Sequence, residues 1–128
     1  MTVRLNAISI VVADMGRSLA FYRLLGLAIP AEADSQPHVE VDVPGGMRLL
    51  WDTEATIRSF APGWQRRGSG GMSLAFAAED AAGVDKMYAQ LADAGYHGEL
   101  APWDAFWGQR YAVVHDPDGN GVDLFAAL

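Results

Sequence analysis

The sequence predicts an α+β domain built from two related halves, each opening with a buried strand that runs into a helix. Three observations predict it. Apolar runs at 5–13 and 72–78 are each followed by an aspartate, Asp14 and Asp80, placed to accept a hydrogen bond from an orphan N–H at a helix start. Each aspartate precedes a tyrosine by eight residues, Asp14 to Tyr22 and Asp80 to Tyr88, with a leucine and a glycine following. Elsewhere apolar and polar residues alternate with the period of a sheet that is dry on one face. Repetition in this detail points to duplication of one supersecondary unit.

Taken in order, Met15, Leu19, Tyr22 and Leu25 recur at helical spacing after Asp14, and Gly26 supplies the stop. Val39, Val41 and Val43 alternate with His38, Glu40 and Asp42, Pro44-Gly45-Gly46 makes a turn, and 47–52 returns as a strand. The stretch 53–71 is weakly patterned and reads as the connection between halves, with Phe60 and Trp64 pinned against something apolar. In the second half Val84, Met87, Tyr88 and Leu91 form the helical stripe and Gly95 the stop. Strands are expected at 96–101, 109–115 and 122–128, with Asp116-Pro117-Asp118-Gly119-Asn120 as a strong turn. One domain thus fills 1–128, with module one to about residue 55, the connection at about 56–71 and module two from about 72.

Composition narrows the function. A chain of 128 residues with 51% hydrophobic and 20% charged residues buries one real core and is not disordered. No apolar run approaches the ~18 residues of a membrane span, and the first residues lack a signal-peptide layout, which predicts a cytoplasmic protein without membrane contact. Zero cysteines exclude disulfides, thiolate metal sites and a cysteine nucleophile. Nine basic against sixteen acidic residues, a net charge of −7, leave no basic stripe for nucleic acid. That acidity keeps a protein soluble and could also attract a cationic ligand. Gly68-Ser69-Gly70-Gly71 precedes a strand and not a helix, so it is no phosphate loop.

Two stretches carry a family resemblance. The run Val12-Ala13-Asp14 followed by Ser18, Phe21-Tyr22 and Leu25-Gly26-Leu27 is similar to the opening of the vicinal-oxygen-chelate superfamily, which includes glyoxalase I, bleomycin-resistance proteins and extradiol dioxygenases. Trp107-Gly108-Gln109-Arg110-Tyr111-Ala112, running into the Asp116–Asn120 turn and Asp123-Leu124, resembles its close. The resemblance covers essentially the whole chain. It implies two βαβββ modules whose curved sheets form a ligand cleft, completed in a homodimer. Residues 30–35, Trp51-Asp52-Thr53 and Asp93-Ala94-Gly95-Tyr96 look nearest to antibiotic-binding resistance proteins of the mitomycin-binding type.

The resemblance also implies where a metal would be held: its four ligand positions fall on Ala7, Ser73, near Leu50 and on Asp123. A divalent cation needs at least three converging hard or imidazole ligands, so the reading is a metal-free site with no cofactor and no catalytic residue assigned. The three histidines show no ligand spacing. His97 and His115 read as surface or turn residues, whereas His38 shares a face with Glu40 and Asp42.

A metal-free cleft recognises its ligand by shape, stacking and a few polar groups. Trp103, Phe106 and Trp107 cluster in what reads as a loop before the 109–115 strand, where core packing does not need three large rings. Two registers are open for the 47–52 strand. In one, Arg48, Leu50 and Asp52 face the ligand and Trp51 packs beneath a helix; in the other the faces are exchanged. Tyr111 is taken as cleft-facing, and Arg110 either pairs with an acid or contacts ligand. The candidate ligand-binding set is therefore Trp103, Phe106, Trp107, Arg110, Tyr111, His38, Asp52 and Asp123. The expected function is sequestration of a small molecule such as an antibiotic. The alternative is a glyoxalase-like lyase or related enzyme acting on a small carbonyl or epoxide.

Overall fold

A computed structural model describes residues 2–68 and 70–128. They form an α+β structure with two small mixed sheets and three α-helices. The chain divides into two compact units, 1–66 and 67–128. No helix among the described residues is long and apolar enough to cross a membrane.

The first unit contains β1 (Ala7–Val12), α1 (Met15–Leu24), a 3-10 turn (Ala31–Ser35), β2 (His38–Val43), β3 (Met47–Thr53) and α2 (Glu54–Phe60). Its sheet runs β1-β3-β2, with β1 parallel and β2 antiparallel to β3. The Asp14 carboxylate accepts from the Arg17 N–H at 2.9 Å and starts α1. Leu19, Phe21 and Tyr22 leave α1 for the core, where they meet Ile10, Val12, Val39, Leu49 and Trp51, all buried. The Leu27 N–H returns to the Tyr22 carbonyl at 3.2 Å, a helix close that requires the left-handed backbone of Gly26, φ 98°.

The second unit contains β4 (Ser73–Ala77), α3 (Ala81–Asp93), β5 (Gly98–Ala105), β6 (Gln109–His115) and β7 (Gly121–Ala127), in sheet order β4-β7-β6-β5. Its opening repeats the capping and closing hydrogen bonds of the first unit. The Asp80 carboxylate accepts from the Gly83 N–H at 2.8 Å, the Tyr96 N–H returns to the Leu91 carbonyl at 3.1 Å, and β4 pairs in parallel with the last strand as β1 does with β3. Val84 and Leu91 of α3 pack on the Ala112, Val114, Val122, Leu124 and Ala126 face of the sheet.

Three expectations are corrected. The first sheet has three strands, because the chain between α1 and β2 winds into the 3-10 turn where the second unit lays down β5. Arg23 holds it there, donating to the carbonyls of Ile29 and Pro30 at 2.8 Å each and to the Asp34 carboxylate at 2.9 Å. Part of the weakly patterned connection is α2. Thr53 caps it through the Thr56 N–H at 3.2 Å, and it buries no residue, so no apolar stripe announced it. Phe60 is not pinned but 72% exposed, and Trp64 lies under the guanidinium groups of Arg58 and Arg66, 5.2 and 5.8 Å from its ring centre.

Candidate functional site

Each sheet has one face under its helix and one open face, and the residues with chemistry lie on the open faces. In the first sheet the register settles the β3 alternatives. Trp51 is fully buried with its ring 5.4 Å from that of Tyr22, so Arg48, Leu50 and Asp52 project from the other side. There the ladder sets His38 opposite Asp52, Glu40 opposite Leu50 and Asp42 opposite Arg48. A continuous polar chain results. His38 donates from Nδ1 to Asp52 at 2.5 Å and from Nε2 to Glu40 at 2.8 Å. Glu40 also accepts from Arg48 at 2.5 Å, and Arg48 donates to the Asn6 side chain at 2.7 Å.

A histidine that donates from both nitrogens is an imidazolium. The hydrogen bonds to Glu40 first and Asp52 second hold His38 above its ordinary 6.5. His38 first and Arg48 second hold the Glu40 carboxyl below its ordinary 4.5.

In the second sheet Gln109, Tyr111, Val113 and His115 of β6 share the open face with Asp123 and Phe125 of β7 and with Trp103 of β5. Trp107 lies at the centre of an aromatic cluster, its ring 5.6 Å from Trp103, 4.9 Å from Phe106 and 5.2 Å from Tyr111, each crossing near the perpendicular. Phe106 is 91%, Trp107 48% and Trp103 37% exposed, large areas for rings that a core would normally take in. The Trp107 indole N–H is held by Gln109 Oε1 at 2.8 Å. Trp103 is not in a loop, as expected, but on β5, which runs on to Ala105; Phe106 and Trp107 form the turn with Gly108.

Burial first, and hydrogen bonding to Asp123 second, push the Tyr111 hydroxyl up to about 12, so it stays protonated and donates to that carboxylate. Asp123 also accepts from Ser73 Oγ at 3.2 Å. Beyond Val113, the same face opens into a cavity of about 420 Å³ lined by Ser73, Glu99, Val113, His115, Gly119 and Gly121, among others. His115 Nε2 meets Glu99 at 2.8 Å and its ring packs against His97 at 5.0 Å.

Arg110 does not belong to this face. It projects to the helix side, where it donates to Asp85 of α3 at 2.8 Å and to Asp104 at 3.0 Å. Of its two expected roles, pairing with an acid is the one the structure displays. Sequence reasoning passed over His115 and Glu99; continuing the alternation from Tyr111 through Val113 places His115 on the open face.

The positions at which the family resemblance implied a metal are structurally equivalent in the two units. Ser9, two residues after Ala7, pairs with Leu50, as Ala75, two residues after Ser73, pairs with Asp123. Ala7 and Leu50 offer no donor atom, and Ser73 with Asp123 supplies only a hydroxyl and a carboxylate. This set does not fit a divalent ion, which needs at least three ligands. No other group of three or more His, Asp or Glu side chains suited to a metal occurs among the described residues.

A duplicated strand–helix unit closing on a mixed sheet, with its chemistry on the open faces, defines a small α+β protein of the vicinal-oxygen-chelate type. The chain belongs to the Glyoxalase/Bleomycin resistance protein/Dioxygenase superfamily, whose family model matches residues 4–124. It is similar in fold to a glyoxalase/bleomycin resistance protein/dioxygenase family enzyme from Burkholderia phytofirmans, with 21% identity over 98% of this chain and 100% of that one and a TM-score of 0.81. A glyoxalase-related enzyme from Fulvimarina pelagi matches with 18% identity, 95% and 86% coverage and a TM-score of 0.80. A superfamily member from Sphaerobacter thermophilus matches with 25% identity, 97% coverage of each chain and a TM-score of 0.67. No protein with a curated description matches the chain.

Proposed function

We propose that this protein binds and sequesters a flat aromatic small molecule, an antibiotic or related metabolite, without making or breaking bonds. The observation that carries the reading is the exposed Trp103, Phe106 and Trp107 rings, clustered with the half-buried Tyr111 beside the Asp123 carboxylate. Indole and phenyl faces attract flat rings, at about 0.5–1.5 kcal/mol per aromatic pair beyond the area they bury. Several such contacts, with burial, reach the roughly −8 kcal/mol of a micromolar complex. Asp123 sets the polar contact, and the misfit of the family's metal positions supports recognition without coordination. The reading includes a homodimer acting inside the cell as a resistance protein of the mitomycin-binding type, and light scattering after gel filtration tests the dimer.

Titration of tryptophan fluorescence with mitomycin, bleomycin and flat quinones tests the binding. Quenching that saturates at micromolar ligand and is lost in Trp107→Ala supports it. No response to any of them at about 100 μM, a concentration well above the micromolar scale, overturns it.

The second reading, an enzyme acting on a small carbonyl or epoxide, is favoured by the His38–Asp52 pair, an imidazole oriented by a carboxylate in the manner of a general acid or base. Turnover of such substrates that disappears in His38→Gln would favour it over sequestration.

A further inference from the structure

Side chains on the open face of the second sheet stand in rows, because directly opposed residues of paired strands share a face. One row is aromatic on three strands: Trp103 of β5, Tyr111 of β6 and Phe125 of β7. The next row towards the β5–β6 turn is Ala105, Gln109 and Ala127. Gln109 thus stands between two alanines, beside three rings. The turn brings it a fourth. The Gly108 N–H returns to the Ala105 carbonyl at 3.0 Å. The left-handed backbone of Gly108, φ 93°, folds the chain sharply enough for the Trp107 side chain to reach that of Gln109.

That contact fixes which way the Gln109 carboxamide points. An indole N–H can only donate, so Trp107 Nε1, 2.8 Å away, takes the carboxamide oxygen. The NH2 group is left on the far side of the contact. Among the described residues it meets no acceptor, and the alanine side chains on either side carry none. The hydroxyl donors of the face are already taken, since Ser73 and Tyr111 both donate to Asp123. Half-buried Gln109 therefore holds an oriented donor at the edge of the ring cluster.

We propose that Gln109 determines specificity at the aromatic site, tethering the Trp107 ring through its oxygen and offering its nitrogen to a hydrogen-bond acceptor on the rim of the ligand. The inference rests on the aromatic-binding reading above and adds a polarity to it. Flat rings with an acceptor at the edge, a heterocyclic nitrogen or a carbonyl oxygen, are preferred to what stacking alone would select. Towards Trp107 the residue positions a ring; towards the ligand it makes a contact. Water serves the NH2 group in the free protein, so one neutral hydrogen bond is exchanged for another and the effect is modest.

Quinoline and naphthalene share a shape and differ in one ring nitrogen. Both carry the same short ethylene-glycol tail for solubility and are titrated into the full chain at a pH where the quinoline is neutral. Proton–nitrogen NMR gives each affinity and reports the Trp107 indole N–H. The quantity read is the ratio of the two affinities, compared between the unaltered protein and its Gln109 variants. The difference in how readily the two rings leave water then cancels.

Gln109→Glu keeps an oxygen for Trp107 but replaces the donor by an acceptor. The ratio is expected to shift against quinoline by about fivefold, the size of one neutral hydrogen bond, with naphthalene affinity changed by less than about twofold. The Trp107 indole resonance should move downfield as its acceptor becomes charged. Gln109→Met removes both ends of the carboxamide. The ratio should shift in the same direction, both rings should bind more weakly, and the indole N–H should exchange faster with water.

An unchanged ratio in Gln109→Glu would overturn the donor role, and an indole resonance unmoved in both variants would overturn the tether. Either result, with both rings still binding, leaves the aromatic reading standing. Binding of neither ring to the unaltered protein would count against that reading and this one together.

Discussion

His38 Nδ1 lies 2.5 Å from Asp52 Oδ1, and the antiparallel ladder that places the two residues directly opposite each other is what brings them together. With Glu40 on the other ring nitrogen, the imidazole sits between two carboxylates across the open face of the first sheet.

This arrangement sets a pH dependence of stability with two opposite limits. His38 is raised above 6.5, so its contribution is complete below that value and is lost as pH rises through its folded value. Glu40 is lowered below 4.5, so its contribution is complete above that value and is lost as pH falls through its folded value. Both are therefore fully present only between 4.5 and 6.5. In proton NMR, His38 is expected to titrate above 6.5 and to move down towards that value in Glu40→Gln and Asp52→Asn. An unchanged His38 midpoint in both variants would show that the contacts do not exist in solution.

Gly98 is open to a sharper test of packing. The Tyr88 hydroxyl rests on this glycine so closely that a Cβ would stand 2.0 Å from it and 2.7 Å from the ring carbon that bears it. Replacing a strand glycine by alanine ordinarily stabilises by about 0.5–1 kcal/mol. Here overpacking reverses the sign, and Gly98→Ala is expected to cost about 1–3 kcal/mol in urea unfolding. A stability equal to or above that of the unaltered protein would contradict the contact.

Ser18 predicts a change in the other direction. Its side chain is fully buried on α1, and its hydroxyl has no hydrogen-bond partner. Removing an unpaired buried hydroxyl relieves a desolvation penalty, while alanine is the better helix former. Ser18→Ala should leave the chemical denaturation midpoint unchanged or raise stability by about 1 kcal/mol. A loss of that size would mean that the hydroxyl has a partner in solution.

Much of the fold was legible in the sequence because it rests on local rules. The two Asp caps, the glycine stops and the eight-residue Asp-to-Tyr interval each act within a few residues of chain, and together they marked both strand–helix units and the Pro44–Gly46 and Asp116–Asn120 turns. What escaped was whatever lacks a local apolar pattern. The α2 helix buries nothing, and the 3-10 turn that replaces a strand is held by a long-range clamp from Arg23.

At the candidate sites the division is similar. The sequence by itself determined the stock of groups: Trp103, Phe106, Trp107 and Tyr111 for stacking, His38, Asp52 and Asp123 for polar contacts, and side chains at Ala7, Leu50 and Ser73 that do not suit an ion. Only the tertiary structure decided which face each group occupies. A strand alternates sides every residue, so a shift of one exchanges Trp51 with Asp52 or Arg110 with Tyr111, and pairing with neighbouring strands is what fixes that choice. The same pairing carried Glu99 and His115, neither of which stands out in the sequence, to the cavity beside the aromatic cluster.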